Sequence, residues 1–476
     1  MKKIKEDLIM RKVLSLVLVL VLALGLLAGC GGGTPAPAGN DTSAASAAPA
    51  GDNTPSNDKP AGDATETKEL NIPAVPDMGG MSSLEWLLSR EDKLALGGIA
   101  PDHYESRADI YKGLDQIDYD DDDVVIGWLD VSQGAPWFIE VNSSAKARAE
   151  EYGYTVVSFD ANFDLTTQIE QVENCLTQDV DFLVIDTVDI DAMSLYFKQA
   201  AEQGIPVIAK GATPAKEEYN VITCVISNCW EAGYVNGVYA AEQTFGDYAE
   251  PAKLGILINR LDGFGESRSC GFICGYIEKF AELAGKPYAS KWDATAVGYD
   301  AWLNLRDSGS YVVGDIINLA GYVVTSNVAT SSAQPAAAEL LTAHPDLDFA
   351  LVETDSMGLA MVAEIQQMGL VPGKDIKVCY ASDGLNTICE AIQDGRVLSM
   401  GSNSPYPCGE TMIDFIHEIL DGRDVNDLPA NTYVPTYCIN KDTLSQVWSG
   451  SDQVYAKMLG DFDIQTVDEY NAAHAG

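Results

Sequence analysis

Histidine is scarce: His103, His344, His417 and His474 are the only four in 476 residues. Such a chain has little side-chain material for proton transfer near neutral pH. Motifs that seat phosphates or nucleophiles are also missing. No G-x-G-x-x-G follows a strand-like run, no G-x-x-x-x-G-K is present and no G-x-S-x-G elbow occurs. These absences speak against a soluble cofactor enzyme on a doubly wound sheet, and no catalytic residue is expected. Basic residues are few: 29 Lys and Arg stand against 71 Asp and Glu, a net charge of −42. Phosphate backbones need basic patches, so no nucleic acid partner is expected. The acidic surplus keeps a chain soluble and identifies no cationic ligand by itself.

The ten cysteines contain no CxxC pair. Apart from Cys30 they are scattered: Cys175, Cys224, Cys229, Cys270, Cys274, Cys379, Cys389, Cys408 and Cys438. With so little histidine beside them, no metal site is expected. Several stand in apolar runs such as Ile376-Lys377-Val378-Cys379-Tyr380, where a thiol packs as a small hydrophobe. Mostly free thiols are expected, with one or two disulfides left open.

What is present begins with an address. Lys2, Lys3, Lys5, Arg11 and Lys12 precede an apolar run, Val13 to Leu27, that ends in Leu27-Ala28-Gly29-Cys30. A basic region, a short apolar region and small residues before a cut describe a secretory signal. The run is shorter than the roughly 20 apolar residues of a membrane span. Leu-Ala-Gly-Cys resembles the bacterial lipobox, which implies lipidation of Cys30 and an anchor in the membrane. Met10-Arg11-Lys12 makes an equally good start. Residues 31–69 contain no Val, Ile, Leu, Met or aromatic residue. They cannot bury enough apolar surface to order themselves and are read as a tether.

About 400 residues then remain, enough for two lobes. Residues 70–123 carry a helix signal at Ser83 to Leu94 and an acidic run at Leu114 to Asp123. Asp118, Asp120 and Asp122 alternate like a calcium loop, but Asp123 stands where glycine is needed and Leu129 where glutamate is needed, so the loop fails. From Val124 apolar strands alternate with amphipathic helices. Strands are expected at Val124–Leu129, Thr155–Phe159, Phe182–Asp186, Pro206–Ala209 and Val221–Ser227. Helices are expected between them at Ala135–Tyr152, Leu165–Leu176 and Ala192–Gln203. A second series follows. Its strands are Leu254–Ile258, Gly321–Ser326, Asp348–Glu353, Ile376–Ser382 and Leu398–Gly401. Its helices are Trp230–Phe245, Ser267–Leu283, Pro335–Ala343, Ser356–Met368, Leu385–Gln393 and Glu410–Leu420. This rhythm describes α/β lobes with parallel sheets covered on both faces. Ligands of such sheets sit beyond the carboxyl ends of the strands.

Four stretches carry a family resemblance. They are Ile126-Gly127-Trp128 through Pro136-Trp137-Phe138; Glu266 to Phe272; Leu340 to Asp346 with Thr354-Asp355; and Ala381-Ser382-Asp383-Gly384. In order and spacing they resemble the periplasmic ribose/galactose-type sugar-binding proteins, over Val124 to Leu444. The resemblance implies a two-lobed type I periplasmic binding protein fold with a three-segment hinge. One lobe would be 124–227 with 404–436. The other would be 228–403 with 437–450, and 451–476 would be a C-terminal extension. It also implies a solute-binding protein, without cofactor, that hands a small ligand, a sugar, to an ABC importer permease; with the lipobox it would be lipid-anchored, and with no sign of an oligomer interface in the sequence a monomer is expected. A receptor of the same fold feeding a chemoreceptor or histidine kinase, or one binding a nucleoside, fits the same residues.

By the resemblance, Trp137 and Phe138 cover the flat face of a sugar, Arg268 donates to its oxygens and Asp383 accepts from its hydroxyls. Thr354, Asp355 and Asn403 stand at matching strand ends and crossings. Thr354, Asp355 and Asp383 would serve equally as helix caps. Two positions depart from the family pattern: Ala135 precedes the Pro-aromatic pair, and Lys210-Gly211-Ala212 replaces Asp-Arg. Asp130, Ser132, Gln133 and Lys210 are the candidate replacements. Residues Tyr299 to Leu319 look inserted.

Overall fold

The computed structural model describes residues 69–92, 94–99, 124–178, 180–211, 220–261, 263–429, 431–450, 452–460 and 465–466. The signal, Cys30, almost all of the tether and the acidic run 114–123 lie outside the described residues.

A short helix, α1 (Ser83–Leu88), precedes the first strand series. That series is β1 (Val125–Asp130), α2 (Pro136–Tyr152), β2 (Thr155–Asp160), α3 (Leu165–Thr177), β3 (Phe182–Asp186), α4 (Ile190–Glu202), β4 (Val207–Gly211) and β5 (Thr223–Ser227). The strands are short runs rich in Val, Ile and Leu, and β3 and β4 are buried along nearly their whole length. Asp164 and Asp189 cap α3 and α4 by accepting from Thr167 N at 2.7 Å and Ala192 N at 3.0 Å. Gly153, at φ 84°, ends α2.

The chain then crosses into α5 (Cys229–Thr244), β6 (Ala252–Ile258), α6 (Gly265–Leu283), α7 (Lys291–Ser308), β7 (Tyr311–Val313) and β8 (Ile317–Val324). It continues through α8 (Thr330–Ala343), β9 (Phe349–Val352), α9 (Asp355–Gln367), β10 (Lys377–Tyr380), α10 (Asn386–Gln393) and β11 (Ser399–Gly401). It recrosses for α11 (Pro405–Leu420) and β12 (Asn431–Val434), and crosses a third time into β13 (Cys438–Asn440) and α12 (Leu444–Val447). The last described strand is β14 (Gln465–Thr466). One sheet runs β14-β12-β5-β4-β3-β1-β2, the other β13-β11-β10-β9-β6-β8-β7. Among the described residues only the edge strands β14, β13 and β7 pair antiparallel. Passages after β5, β11 and β12 join two parallel-sheet lobes flanked by helices, and the chain returns once more to the first sheet at β14.

Several boundaries differ from expectation for physical reasons. Helix α8 begins at Thr330, five residues before Pro335, which sits inside the helix. Helix α11 begins at Pro405 rather than Glu410. Its two prolines, Pro405 and Pro407, fall in the first turn, where backbone N–H groups have no partner to lose. The signal at Ser83–Leu94 yields a helix only to Leu88, closed at its start by a reciprocal Ser82–Glu85 capping box. The stretch Tyr299–Leu319 begins inside a helix, α7, capped by Ser290 and ended by Gly309 at φ 83°, and runs on through β7 into β8, which pair as an edge hairpin. The segment before the first strand series packs on α7 and the residues just before it. Tyr288 Oη donates to Pro73 O at 2.9 Å, Tyr299 Oη donates to Asp92 O at 2.8 Å, and Arg306 pairs with Asp92 at 2.6 Å. Trp86, Leu87, Leu96 and Ile99 join the core of the second lobe.

Helices α5 and α6 meet backbone to backbone. A Cβ at Gly233, Gly237 or Gly271 would lie 2.0 Å from the carbonyl oxygen of Arg268, Phe272 or Trp230, respectively. This contact fixes α6, and with it Arg268, against the passage that follows β5. All nine cysteines from Cys175 to Cys438 are free thiols, and eight are buried. Burial pushes Cys379 and Cys408 up to about 12, so they are inert. A Gly237→Val variant must separate the two helices. Its urea midpoint is expected to fall by the equivalent of about 2 kcal/mol or more with the slope unchanged. An unaltered midpoint would show that the helices are not in close contact.

Candidate functional site

The first half of the site lies at the carboxyl ends of β1, β3 and β4. Asp130, the last residue of β1, is fully buried. Its Oδ1 accepts from Trp128 Nε1 at 2.9 Å and Lys210 Nζ at 3.2 Å. Its Oδ2 accepts from Gln133 Nε2 and Asn142 Nδ2, each at 3.1 Å. Lys210 reaches a second carboxylate, Asp186, also at 3.2 Å. The β3–β4 register sets Asp186 and Lys210 side by side. The rings of Trp137 and Phe138 each lie 5.5 Å from the ammonium, and Trp128 lies 5.8 Å away. Burial drives the Lys210 amine down, but Asp186 and Asp130 outweigh it and hold the amine above its ordinary value. Burial, reinforced by Asp130 and opposed by Lys210, raises Asp186. Buried Ser132 accepts from Gly134 N at 2.9 Å.

The second half is built on α6 and the ends of β9 and β10. Arg268 is 4% exposed and sits between Glu353, at 3.6 Å, and Asp383, at 3.7 Å. Asp383 Oδ1 accepts from Asn403 Nδ2 at 2.8 Å, and its carbonyl accepts from Asn403 N at 2.8 Å. Asn403 lies in the second passage between the lobes. Its own carbonyl accepts from Trp137 Nε1 at 2.8 Å. Trp137, Asn403, Asp383 and Arg268 thus form one chain of polar contacts from α2 in the first lobe to α6 in the second. Trp137 meets Phe138 edge-on at 5.5 Å.

Asp355 is buried deeper. Its Oδ2 accepts from Gly384 N at 3.0 Å and Leu385 N at 2.6 Å, which pins the turn that carries Asp383. Its Oδ1 and the hydroxyl of Thr354 are buried without a hydrogen-bond partner. Burial, then the Asp383 charge, holds the Asp355 carboxyl well above the usual range. The capping alternatives do not hold for these residues. Thr354 occupies the N-cap of α9 without a side-chain bond, Asp355 is the first residue of that helix, and Leu385 rather than Asp383 precedes α10. The candidates from the sequence thus gather at strand ends, at the first turns of α2, α6 and α9 and at the second passage, in two clusters linked through Trp137 and Asn403. Glu353 and Asp186 were missed. Each is a strand-end acid, and that position was the available signal. A separate hollow of about 600 Å³ lies away from these clusters, between residues 75–84 and Ser290–Asp293.

The periplasmic binding protein domain matches residues 126–424, more than half of the chain. The chain belongs to the periplasmic binding protein family. The ribose import binding protein of Bacillus subtilis (strain 168) is 24% identical over 294 residues, 61% of this chain and 79% of that one. Its counterpart in Escherichia coli (strain K12) is 23% identical over 295 residues, 61% and 82% of the two chains. The fold is shared with an ABC transporter solute-binding protein of Mycobacterium smegmatis with bound glycerol. That match has a TM-score of 0.54 and 22% identity, and covers 70% of this chain and 99% of that one. A protein of Actinobacillus succinogenes with bound D-allose matches at TM-score 0.54 and 18% identity, covering 68% and 99%.

Two consequences are measurable. Lys210→Met strands two buried carboxylates, so stability is expected to fall by about 3 kcal/mol; a loss below 1 kcal/mol would mean that Lys210 is not their counter-charge. For Asp355 the folded carboxyl is raised, so the folded state takes up a proton first as pH falls. Wild-type stability therefore rises, relative to Asp355→Asn, as pH drops through that raised range toward ~4. Parallel stability–pH curves for the two proteins would refute the raised carboxyl.

Proposed function

We propose that this chain is the lipid-anchored, solute-binding component of an ABC importer and that it captures a sugar between its lobes without catalysing a reaction. The chain of contacts from Trp137 through Asn403 and Asp383 to Arg268 carries this reading. It brings together an aromatic face, a fork of donors and a carboxylate, the three chemistries a sugar needs. Thr354 and Asp355 add unsatisfied polar atoms on the second lobe, while Asp130, Ser132 and Lys210 line the first. The ribose import binding proteins and the D-allose-bound neighbour support the sugar class. The Leu27-Ala28-Gly29-Cys30 motif supports an anchor on the outer face of the cell membrane. The importer's permease is the protein partner, and the chain acts as a monomer.

Residues 70–476 are to be melted against a panel of mono- and disaccharides, nucleosides and amino acids. A sugar at a hundredfold excess over its Kd stabilises the fold by about 2.7 kcal/mol. Arg268→Ala and Asp383→Ala are expected to abolish that shift. A shift produced by a nucleoside or amino acid alone would overturn the sugar reading and leave the fold. In cells, Cys30→Ser is expected to release the protein from the membrane fraction; retention there would remove the anchor from the account.

A further inference from the structure

The chain after β13 turns back over the loops that carry the site. Trp448 Nε1 donates to Asn386 Oδ1 at 2.8 Å, and Lys457 N donates to Val447 O at 2.9 Å. Residues 454–456 run antiparallel to the turn after β10. Asn386 N donates to Val454 O at 2.9 Å and Ala456 N donates to Gly384 O at 2.7 Å. Leu385 and Tyr455 face each other across this bridge. The turn is the one that presents Asp383 and is pinned by Asp355.

Side chains alternate along such a segment. Ala456 is fully buried in the core of the second lobe. Tyr455 points the other way, yet is only 3% exposed. Its N–H reaches Tyr406 Oη, at the start of α11 in the first lobe, at 3.4 Å. The Lys457 ammonium lies 4.9 Å from the same Tyr406 ring. Tyr455 is thus flanked by the site turn of one lobe and the first turn of α11 from the other. Burial, then the charges of Asp383 and Asp355, with Glu140 and Tyr406 behind them, raise its phenol and keep it protonated. A neutral phenol is an aromatic face with a donor at its tip.

We propose that Tyr455 forms one wall of the ligand cleft and is a specificity-determining residue. Its ring would cover an apolar face of the sugar, and its hydroxyl would donate to Asp383 or to a ligand oxygen. The segment lies beyond residue 424, where the match to the family model ends. The proposal rests on the sugar-capture reading.

The test is calorimetric titration of wild type, Tyr455→Phe and Tyr455→Ala with pentoses and hexoses, ribose and allose included. Tyr455→Phe keeps the ring and loses the hydroxyl, so affinity for the best sugar is expected to fall roughly tenfold. Tyr455→Ala is expected to lose more and to change the order of preference among the sugars. Melting of the unliganded proteins checks that each variant folds, and if Tyr455→Ala does not, Tyr455→Phe decides alone. Wild-type affinities and ranking preserved in Tyr455→Phe and in any folded Tyr455→Ala would overturn the proposal while leaving the sugar reading intact. No binding of any sugar by wild type would overturn both.

Discussion

A charged side chain removed from water must meet opposite charge or hydrogen bonds, and this constraint organises the molecule. It operates twice. Lys210 lies between Asp130 and Asp186 at 3.2 Å from each, and Arg268 lies between Glu353 and Asp383. Each cation has its two acids delivered from the carboxyl ends of strands, or from the turns just beyond them, so the parallel sheets must be in register for either cluster to form. Removing one partner would leave a buried charge, which is far costlier than losing a surface ion pair. The two clusters also differ. Lys210 is committed to its carboxylates, whereas Asp383 divides itself between Arg268 and the amide of Asn403, and so couples the second lobe to the passage between lobes.

That coupling gives the site its logic. Trp137 belongs to α2 of the first lobe, but its indole N–H is held by the carbonyl of Asn403. Asn403 in turn is bonded twice to Asp383. A change in the angle between lobes alters these contacts directly. In proteins of this architecture, hinge closure around a ligand is the available motion, and a ligand that replaces or extends the Trp137–Asn403–Asp383 contacts favours the closed arrangement. The glycine-lined contact of α5 with α6 keeps Arg268 fixed on its own lobe meanwhile.

Much of this was legible in the sequence. Continuous apolar strands alternating with amphipathic helices located most elements within a few residues, because those signals are local. Trp137, Arg268 and Asp383 were legible through resemblance, since their neighbours form recognisable stretches. Glu353 and Asp186 were not, because a strand-end acid acquires meaning only from the cation that a distant element brings to it. The α7 region and the segment before the first strand series were read poorly for a similar reason. Trp86, Leu96, Trp292 and Trp302 share one core, but they come from segments that bury their apolar faces against each other. Tyr455 lay in a stretch with no periodicity to mark it; only the pairing of its backbone with the turn after β10 gives it a place.

The central claim is that one sugar engages both lobes. Small-angle X-ray scattering of residues 70–476, with and without a sugar that raises the melting temperature, tests it most directly. The account predicts a smaller radius of gyration in the saturated protein. An unchanged radius at full saturation would contradict capture between the lobes.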